Sequence, residues 1–534
     1  MTPSKSRSPA WALIAAACAL GLSLAAGCTA ETKATSDATG ADTTVTDPDT
    51  TTATTEDTSS DADGTSSGCT KHSDCASQGA DFVCGKGGAC VQANTANCTL
   101  TPPNGGVDDK TVLIGAVSPK SFENGILLYI ENAILMAQGE VNSARLPGER
   151  RIGVISCNNQ IENEDPNAKP WLANADHLAN KVGVPVILGP AFSGIFIETY
   201  QEVTKAAGVV TLSMSATSPA ITDLDIGEAE LTWRVVPSDV AQAAAMAKLI
   251  SVRNPSKAII FVKDDAYGNG LFAAFQSQFS SQITSGNFKV VRYEPATNED
   301  GLRSITNSNF DIEAETIVLL GTDEVGTILK TYEDRTITYN ETNTPIAPAY
   351  LLSEGGKESA LGKVKEVATA SAAAGLDLIT RLEGTQPDTR NPRISIYNNF
   401  AAGYFSKYNE QPGVFSSTAY DAMYVVFYAM CTASETAPIT PTDIISGLRK
   451  LGSGTRVEPG SGAIPSARTT LRSGGSIDYD GASGEITFDA KGDVAGSAFT
   501  RWTIQNFQDK TPPDLRFLED QGTYSVVSDS WTLP

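Results

Sequence analysis

The chain has only two histidines, His72 and His177, in 534 residues. A Ser-His-Asp hydrolase, a histidine-rich metal centre or a histidine acid/base pair therefore has almost no material to draw on. Basic residues are scarce too. The 39 lysines and arginines stand against 62 acids, a formal charge of −23, and nowhere are they concentrated enough to grip phosphates, which argues against nucleic acid as a partner. The run Gly189-Pro190-Ala191-Phe192-Ser193-Gly194 is not a Gly-x-Ser-x-Gly elbow, and no nucleophile stands beside a base. No enzyme, cofactor or metal is expected. What remains, 41% apolar and 19% charged residues, describes a soluble acidic protein with length for two to four folded units at roughly 150 residues each.

The first residues form an address. Lys5 and Arg7 precede an apolar run, Trp11 to Ala26, that ends at Gly27-Cys28, the layout of a bacterial export signal and too short for a stable span. Leu24-Ala25-Ala26-Gly27-Cys28 resembles a lipoprotein cleavage box, with Ala25 where the family more often has Leu. That resemblance implies cleavage after residue 27 and a lipid on Cys28, which would hold the protein at the extracytoplasmic side of the cell envelope, on the outer or inner membrane. An ordinary signal peptide with a chance cysteine is the alternative. Residues 28–68 are Thr, Asp, Ala and Ser with little apolar content, a disordered leash that reaches ~30–40 Å at roughly 5–6 Å × √n.

Five cysteines follow within residues 69–98: Cys69, Cys75, Cys84, Cys90 and Cys98. In an exported chain this spacing reads as a disulfide-stapled mini-domain, a spacer or protein-contact module. Zinc is the competing reading, but no pair has C-x₂-C spacing and His72 alone cannot complete a site. Pairing cannot be assigned from sequence, though Cys157, near a strand end, could accept Cys98. Without Cys18 and Cys28 an odd number of thiols remains, and Cys431, in an apolar helical stretch, is expected to be a buried free thiol.

Beyond Gly105-Gly106, β-branched runs alternate with helical segments, the pattern of parallel sheets covered by helices. Strands are expected at 112–117, 152–156, 186–188, 209–212, 258–262, 289–293, 316–320 and 349–352. Helices are expected at 126–142, 171–181, 196–207, 240–252, 271–280, 399–408 and 419–432, before Gly/Ser-rich loops and short terminal strands. The direct reading is an α/β protein of two lobes.

Within this body, Val186-Ile187-Leu188-Gly189-Pro190-Ala191-Phe192-Ser193-Gly194, then Ala207-Gly208 through Ser215-Ala216-Thr217-Ser218-Pro219, is similar to the type I periplasmic solute-binding proteins, particularly the leucine/isoleucine/valine-binding branch. Further anchors are Trp233-Arg234-Val235-Val236-Pro237-Ser238-Asp239, Asp264-Asp265-Ala266-Tyr267-Gly268, and Gly484 to Asp493. Their order spans roughly residues 110–510. The resemblance implies two Rossmann-like lobes with parallel sheets, joined by a multi-strand hinge, with ligand in the cleft. It places lobe 1 at 110–236 and 352–455, and lobe 2 at 237–351 and 456–534.

Carried over residue by residue, it gives Ser193, Ser215, Ala216 and Thr217 to a ligand carboxylate, and Glu354 to an α-ammonium. Tyr267 and Tyr420 become cleft aromatics, with Phe122 a weaker match. Capping explains the serines and threonine equally well, and plain packing the tyrosines. The family's other second-lobe tyrosine has no counterpart in Leu320-Gly321-Thr322-Asp323, which leaves branched-chain specificity open.

One rival pattern is Gly268-Asn269-Gly270-Leu271-Phe272-Ala273, a G-x-G-x-x-A match opening a helix. Lys263-Asp264-Asp265-Ala266 separates it from the strand, and two acids there would repel a pyrophosphate. Asp264 and Asp265 read better as helix-capping acids than as a catalytic pair, and His177 as a surface or satisfied histidine. The sequence thus points to capture of an amino acid or analogue for an ABC permease. A sensor without transport, or a structural or adhesive lipoprotein with a vestigial cleft, stays open beside it.

Overall fold

The computed structural model describes residues 68–120, 128–146, 148–159, 168–225, 227, 229–494, 498–506 and 514–533. The export signal, Cys28, the leash to residue 67 and Phe122 lie outside them. Two parallel sheets organise the rest. In the first, the strands run in the order Cys98–Thr101, Arg151–Asn158, Thr111–Ser118, Val186–Leu188, Val210–Ser213, Thr232–Arg234. All pair in parallel except the edge strand Cys98–Thr101. The second holds Phe288–Tyr293, Ala258–Lys263, Thr316–Leu320, Ala349–Leu352 and Leu382–Pro387 in parallel. An antiparallel strand, Ala498–Asn506, closes it and carries the terminal strands.

Both sheets read as β-branched runs because both faces are covered by helices, so no alternation survives. In the first lobe the helix Ser416–Met430 is buried along its whole length and shares a core with Leu128–Ser143. Cys431, just beyond it, is a free buried thiol, as expected, and burial pushes its pKa up to about 12.

The chain crosses between lobes three times, after Arg234, after Pro387 and before Ala498. The second crossing corrects the boundary expected at 352. Residues 357–373 form a helix over the second sheet and Leu382–Pro387 is one of its strands, so the return to lobe 1 falls near 388–393. Likewise 456–488 stays with lobe 1, where Val457, Ile464, Leu471 and Tyr479 join its core. Sequence reading overlooked the helix Lys357–Ala373, whose alanine-rich, charged face gives weak periodicity.

The cysteine-rich module is pinned by Cys69–Cys84 and Cys75–Cys90, while Cys98 pairs with Cys157 in lobe 1. It is an extension of that lobe. Val83 and Ala93 are fully buried in a cluster with Leu178 and Val182, as befits a segment too short to build its own core. His177 Nε2 meets the Ala93 carbonyl at 3.0 Å, and His72 Nδ1 accepts from the Cys84 amide at 3.2 Å, so both histidines are satisfied in or beside this module. The strand Cys98–Thr101 covers an edge of the first sheet that would otherwise be open to pairing.

Gly384 marks the tightest packing next to a crossing. A Cβ there would collide with the Trp502 indole and come within 2.8 Å of the Leu352 carbonyl. Gly384→Ala is expected to cost about 1–3 kcal/mol by overpacking, read as a lower urea midpoint at unchanged slope.

Candidate functional site

The candidate site gathers where strand ends of both lobes meet. In lobe 1, Val186–Leu188 ends at Gly189, which has φ +93° and sits so close to the Val117 carbonyl that no Cβ fits. The turn delivers Ser193 as the first residue of a helical run, Ser193–Thr199 continuing through a π turn to Ala207. After Val210–Ser213, the loop 214–218 is folded by Ser213, whose Oγ accepts from the amides of Ser215 and Ala216 at 3.3 and 2.8 Å. Ser215 donates its hydroxyl to the Ala191 carbonyl at 2.8 Å, and the Ser218 amide donates to Ser193 Oγ at 3.2 Å. The two expected carboxylate loops are thus tied together, with Ala216 and Thr217 buried between them.

Arg234 holds this loop from beneath. Fully buried, it donates from Nη1 to the carbonyls of Thr217 and Ser218, each at 3.0 Å, and meets Asp493 through Nε at 2.6 Å and Nη2 at 2.7 Å. Thr222 completes the cluster, donating its hydroxyl to Asp493 at 2.7 Å.

From lobe 2, the helix Ala266–Gln278 is capped by Asp265, which accepts from the Gly268 amide at 2.8 Å, the capping role expected of it. Its second residue, Tyr267, donates its hydroxyl to Glu354 Oε1 at 2.8 Å. Glu354 follows the strand Ala349–Leu352 and also accepts from Gln242 Nε2. That same amide reaches the Thr385 carbonyl and hydroxyl at 3.2 Å each. Gly268 and Gly270 serve packing: a Cβ on Gly268 would strike the Lys263 carbonyl, and one on Gly270 would lie 2.7 Å from Pro219. The lobes touch here, Ser218 Oγ donating to the Ala266 carbonyl at 2.7 Å.

Beside Glu354 stands a residue to which the sequence reading gave no role. Asp239 opens the helix Asp239–Arg253, is fully buried, and its carboxylate oxygens make no hydrogen bond within 3.5 Å among the described residues, although the Thr217 side chain stands near enough to act on them. Burial foremost, then the charge of Glu354, holds its pKa well above the usual range, against the pull of Thr217 and Arg234. Glu354 is raised as well, by burial, with Tyr267 and Gln242 pulling back. Burial and the same two acids keep the Tyr267 phenol a donor. Gln242 Oε1 also lacks a hydrogen-bond partner among the described residues.

The structure therefore brings Ser193, Ser215, Ala216 and Thr217 together, held by Arg234, and Tyr267 with Glu354, held by Gln242, while Asp239 links the two groups, its amide donating to the Thr217 carbonyl at 2.9 Å and its carboxyl standing by Glu354. Tyr420 is elsewhere. Its ring packs on Phe400 and Tyr424 in the lobe 1 core and its hydroxyl donates to Glu140 at 2.6 Å, the packing alternative for this residue. Arg234 and Asp239 stand in the very run that carried the resemblance. What would have singled them out is an arginine ending an apolar strand and an acid four residues before an apolar helical face.

Residues 129–506 match the model of the receptor family ligand binding region. The chain belongs to that family and has the type I periplasmic-binding fold. Among solved structures it is similar to the branched-chain amino acid transporter substrate binding protein LivJ of Streptococcus pneumoniae, in complex with isoleucine, at 18% identity and TM-score 0.54, covering 77% of this chain and 100% of that one. The leucine binding protein LivK of Thermotoga maritima gives 17% and 0.53, over 76% and 97%. A solute binding protein of an ABC transporter from R. palustris, in complex with 4-hydroxybenzoate, gives 14% and 0.53, over 78% and 97%. At these identities the likeness is one of fold. No curated protein matches the sequence.

Proposed function

We propose that the protein captures a small ligand carrying both an ammonium and a carboxylate, an amino acid or close analogue, between its lobes. One observation carries this reading: Asp239 and Glu354 are buried side by side, and neither Asp239 oxygen makes a hydrogen bond within 3.5 Å among the described residues. Two desolvated carboxylates repel each other unless one takes up a proton or a cation joins them, and an ammonium would supply three donors in one compact charge. Ser193 at the start of its helical run offers a hydroxyl and unpaired amides to an anion. Thr217 adds a second hydroxyl, and Tyr267 closes the lobe 2 side. Isoleucine in the S. pneumoniae relative fits this pattern.

Two readings complete the picture. Lipidation of Cys28 tethers the protein outside the cytoplasmic membrane, and closure of the cleft presents the ligand to an ABC importer. Among the described residues no helix is long and apolar enough to cross a membrane, so Cys28 and the leash are the means of attachment in this reading.

A thermal-shift screen of the compact unit Thr65–Pro534 against amino acids, amides, small carboxylates and sugars tests the ligand class. Ligand at 100 times its dissociation constant adds about 2.7 kcal/mol. A selective shift by one amino-acid class, reduced in Thr217→Ala, is expected. Shifts by sugars alone would refute it.

A further inference from the structure

Arg390 stands in the second crossing, and its backbone belongs to lobe 1. On one side the Thr389 carbonyl accepts from the hydroxyl of Ser417, on the buried helix Ser416–Met430. On the other, Asn391 donates from its amide to the carbonyl of Ala482, a lobe 1 core residue, at 2.9 Å, and from Nδ2 to Asp480 at 2.8 Å. The Arg390 side chain goes the opposite way. Its Nε donates at 3.0 Å to Asp388, which follows the lobe 2 strand Leu382–Pro387, while Nη1 meets Asp520 Oδ2 at 2.8 Å and Nη2 meets Oδ1. Asp520 is rooted in lobe 2. Before it, Glu519 accepts from Lys357 Nζ at 2.6 Å, at the start of the helix Lys357–Ala373. After it, the amide of Gln521 donates to the Arg501 carbonyl and the Arg501 amide to the Gly522 carbonyl, each at 3.0 Å. The loop turns through Asp520 at φ +70°, a left-handed conformation that aspartate tolerates better than most residues. It joins the strands Leu515–Leu518 and Thr523–Ser525, which extend the second sheet beyond residue 506, where the family match ends.

We propose that this C-terminal extension is a hinge strap: the Arg390–Asp520 pair ties lobe 1 to lobe 2 beside their pivot and favours the arrangement in which the lobes touch. That arrangement is the one seen here, with Ser218 Oγ on the Ala266 carbonyl across the cleft and the guanidinium fork closed on Asp520 at the crossing. The residues on either side of Arg390 are held by one lobe and those on either side of Asp520 by the other, so rotation of the lobes must displace one partner against its mate. A two-point fork is directional and tolerates little displacement. Arg390 also holds the Asp520 carboxyl below its usual range, as a formed pair does. The strap acts on the lobes themselves and does not depend on which ligand the cleft takes.

Pulsed EPR on the purified, ligand-free chain reads the separation of the lobes, with spin labels at Gln201→Cys in lobe 1 and Gln276→Cys in lobe 2, both exposed helical positions. Asp520→Asn removes the charge and keeps a residue suited to the left-handed turn. It is expected to raise the ratio of separated to touching lobes about two- to fivefold, the scale of a well-formed ion pair with one exposed partner. Arg390→Gln should shift the ratio in the same direction, and Asp520→Asn added to it should shift it no further. Asp334→Asn, which breaks an ion pair within lobe 2, should leave the ratio unchanged. An unchanged distance distribution in Asp520→Asn, an equal shift by Asp334→Asn, or a full further shift by Asp520→Asn in the Arg390→Gln background would overturn the proposal.

Discussion

Glu354→Gln is expected to do two opposite things: raise the melting temperature of the ligand-free protein and lower amino-acid affinity by roughly 30-fold or more. The affinity follows from removing one partner of a desolvated charge pair, worth about 2–5 kcal/mol. The stability follows from the repulsion between Glu354 and Asp239, which an isosteric amide ends while still accepting from Gln242. A residue that served only structure would lower both. Asp239→Asn should behave alike.

The pH dependence has a matching sign. Both acids have folded-state pKa values above their unfolded ones, so their contribution to ligand-free stability is full below about pH 4 and is lost as pH rises through the folded values. Ammonium binding needs the ionised carboxylates and strengthens over that same rise. Other acids, among them Asp108, Glu149 and Glu324, are lowered and tilt stability the other way. The readout is therefore the difference between wild type and Glu354→Gln, melted at about pH 5 and pH 7. The variant's advantage should grow with pH; an advantage that shrinks would contradict the assignment.

Arg234→Met is expected to cost about 3–5 kcal/mol of stability, the range for breaking a buried ion pair from one side. It strands Asp493 and deprives the carbonyls of Thr217 and Ser218 of their donors. The double variant Arg234→Met/Asp493→Leu should recover part of that loss, since no unpaired charge remains. It should not recover ligand affinity, because nothing then pins the Thr217 loop. Chemical denaturation and calorimetry of the three proteins separate these outcomes. Equal affinity in the double variant and wild type would show that Arg234 does not position the loop.

The strands were the most legible part of the sequence. Val186–Leu188, Thr316–Leu320 and Ala349–Leu352 fall on their expected bounds, because short β-branched runs between Gly and polar residues admit little else. Cys98–Cys157 is a pairing the sequence allowed without assigning, and the odd thiol count together with an apolar helical stretch pointed to Cys431 as the buried free thiol. The second crossing was hidden, since nothing local tells a strand end that a loop continues to the other lobe. Ser193, Thr217, Tyr267 and Glu354 came from motif resemblance. Asp239 did not stand out, because its significance is the lack of a partner, a property of burial and of Glu354 arriving 115 residues later in the chain. Tyr420 was misleading for the converse reason: an aromatic on a helix buried along its whole length has only packing to do.

The most direct measurement compares, by calorimetry on the unit Thr65–Pro534, the amino acid selected in the thermal screen with its deaminated carboxylic acid. The two share a carboxylate and side chain and differ only in the ammonium assigned to Asp239 and Glu354. The account predicts that the amino acid binds roughly 100-fold or more tightly, and that the gap narrows sharply in Glu354→Gln. Equal affinity, or tighter binding of the deaminated acid, would contradict it.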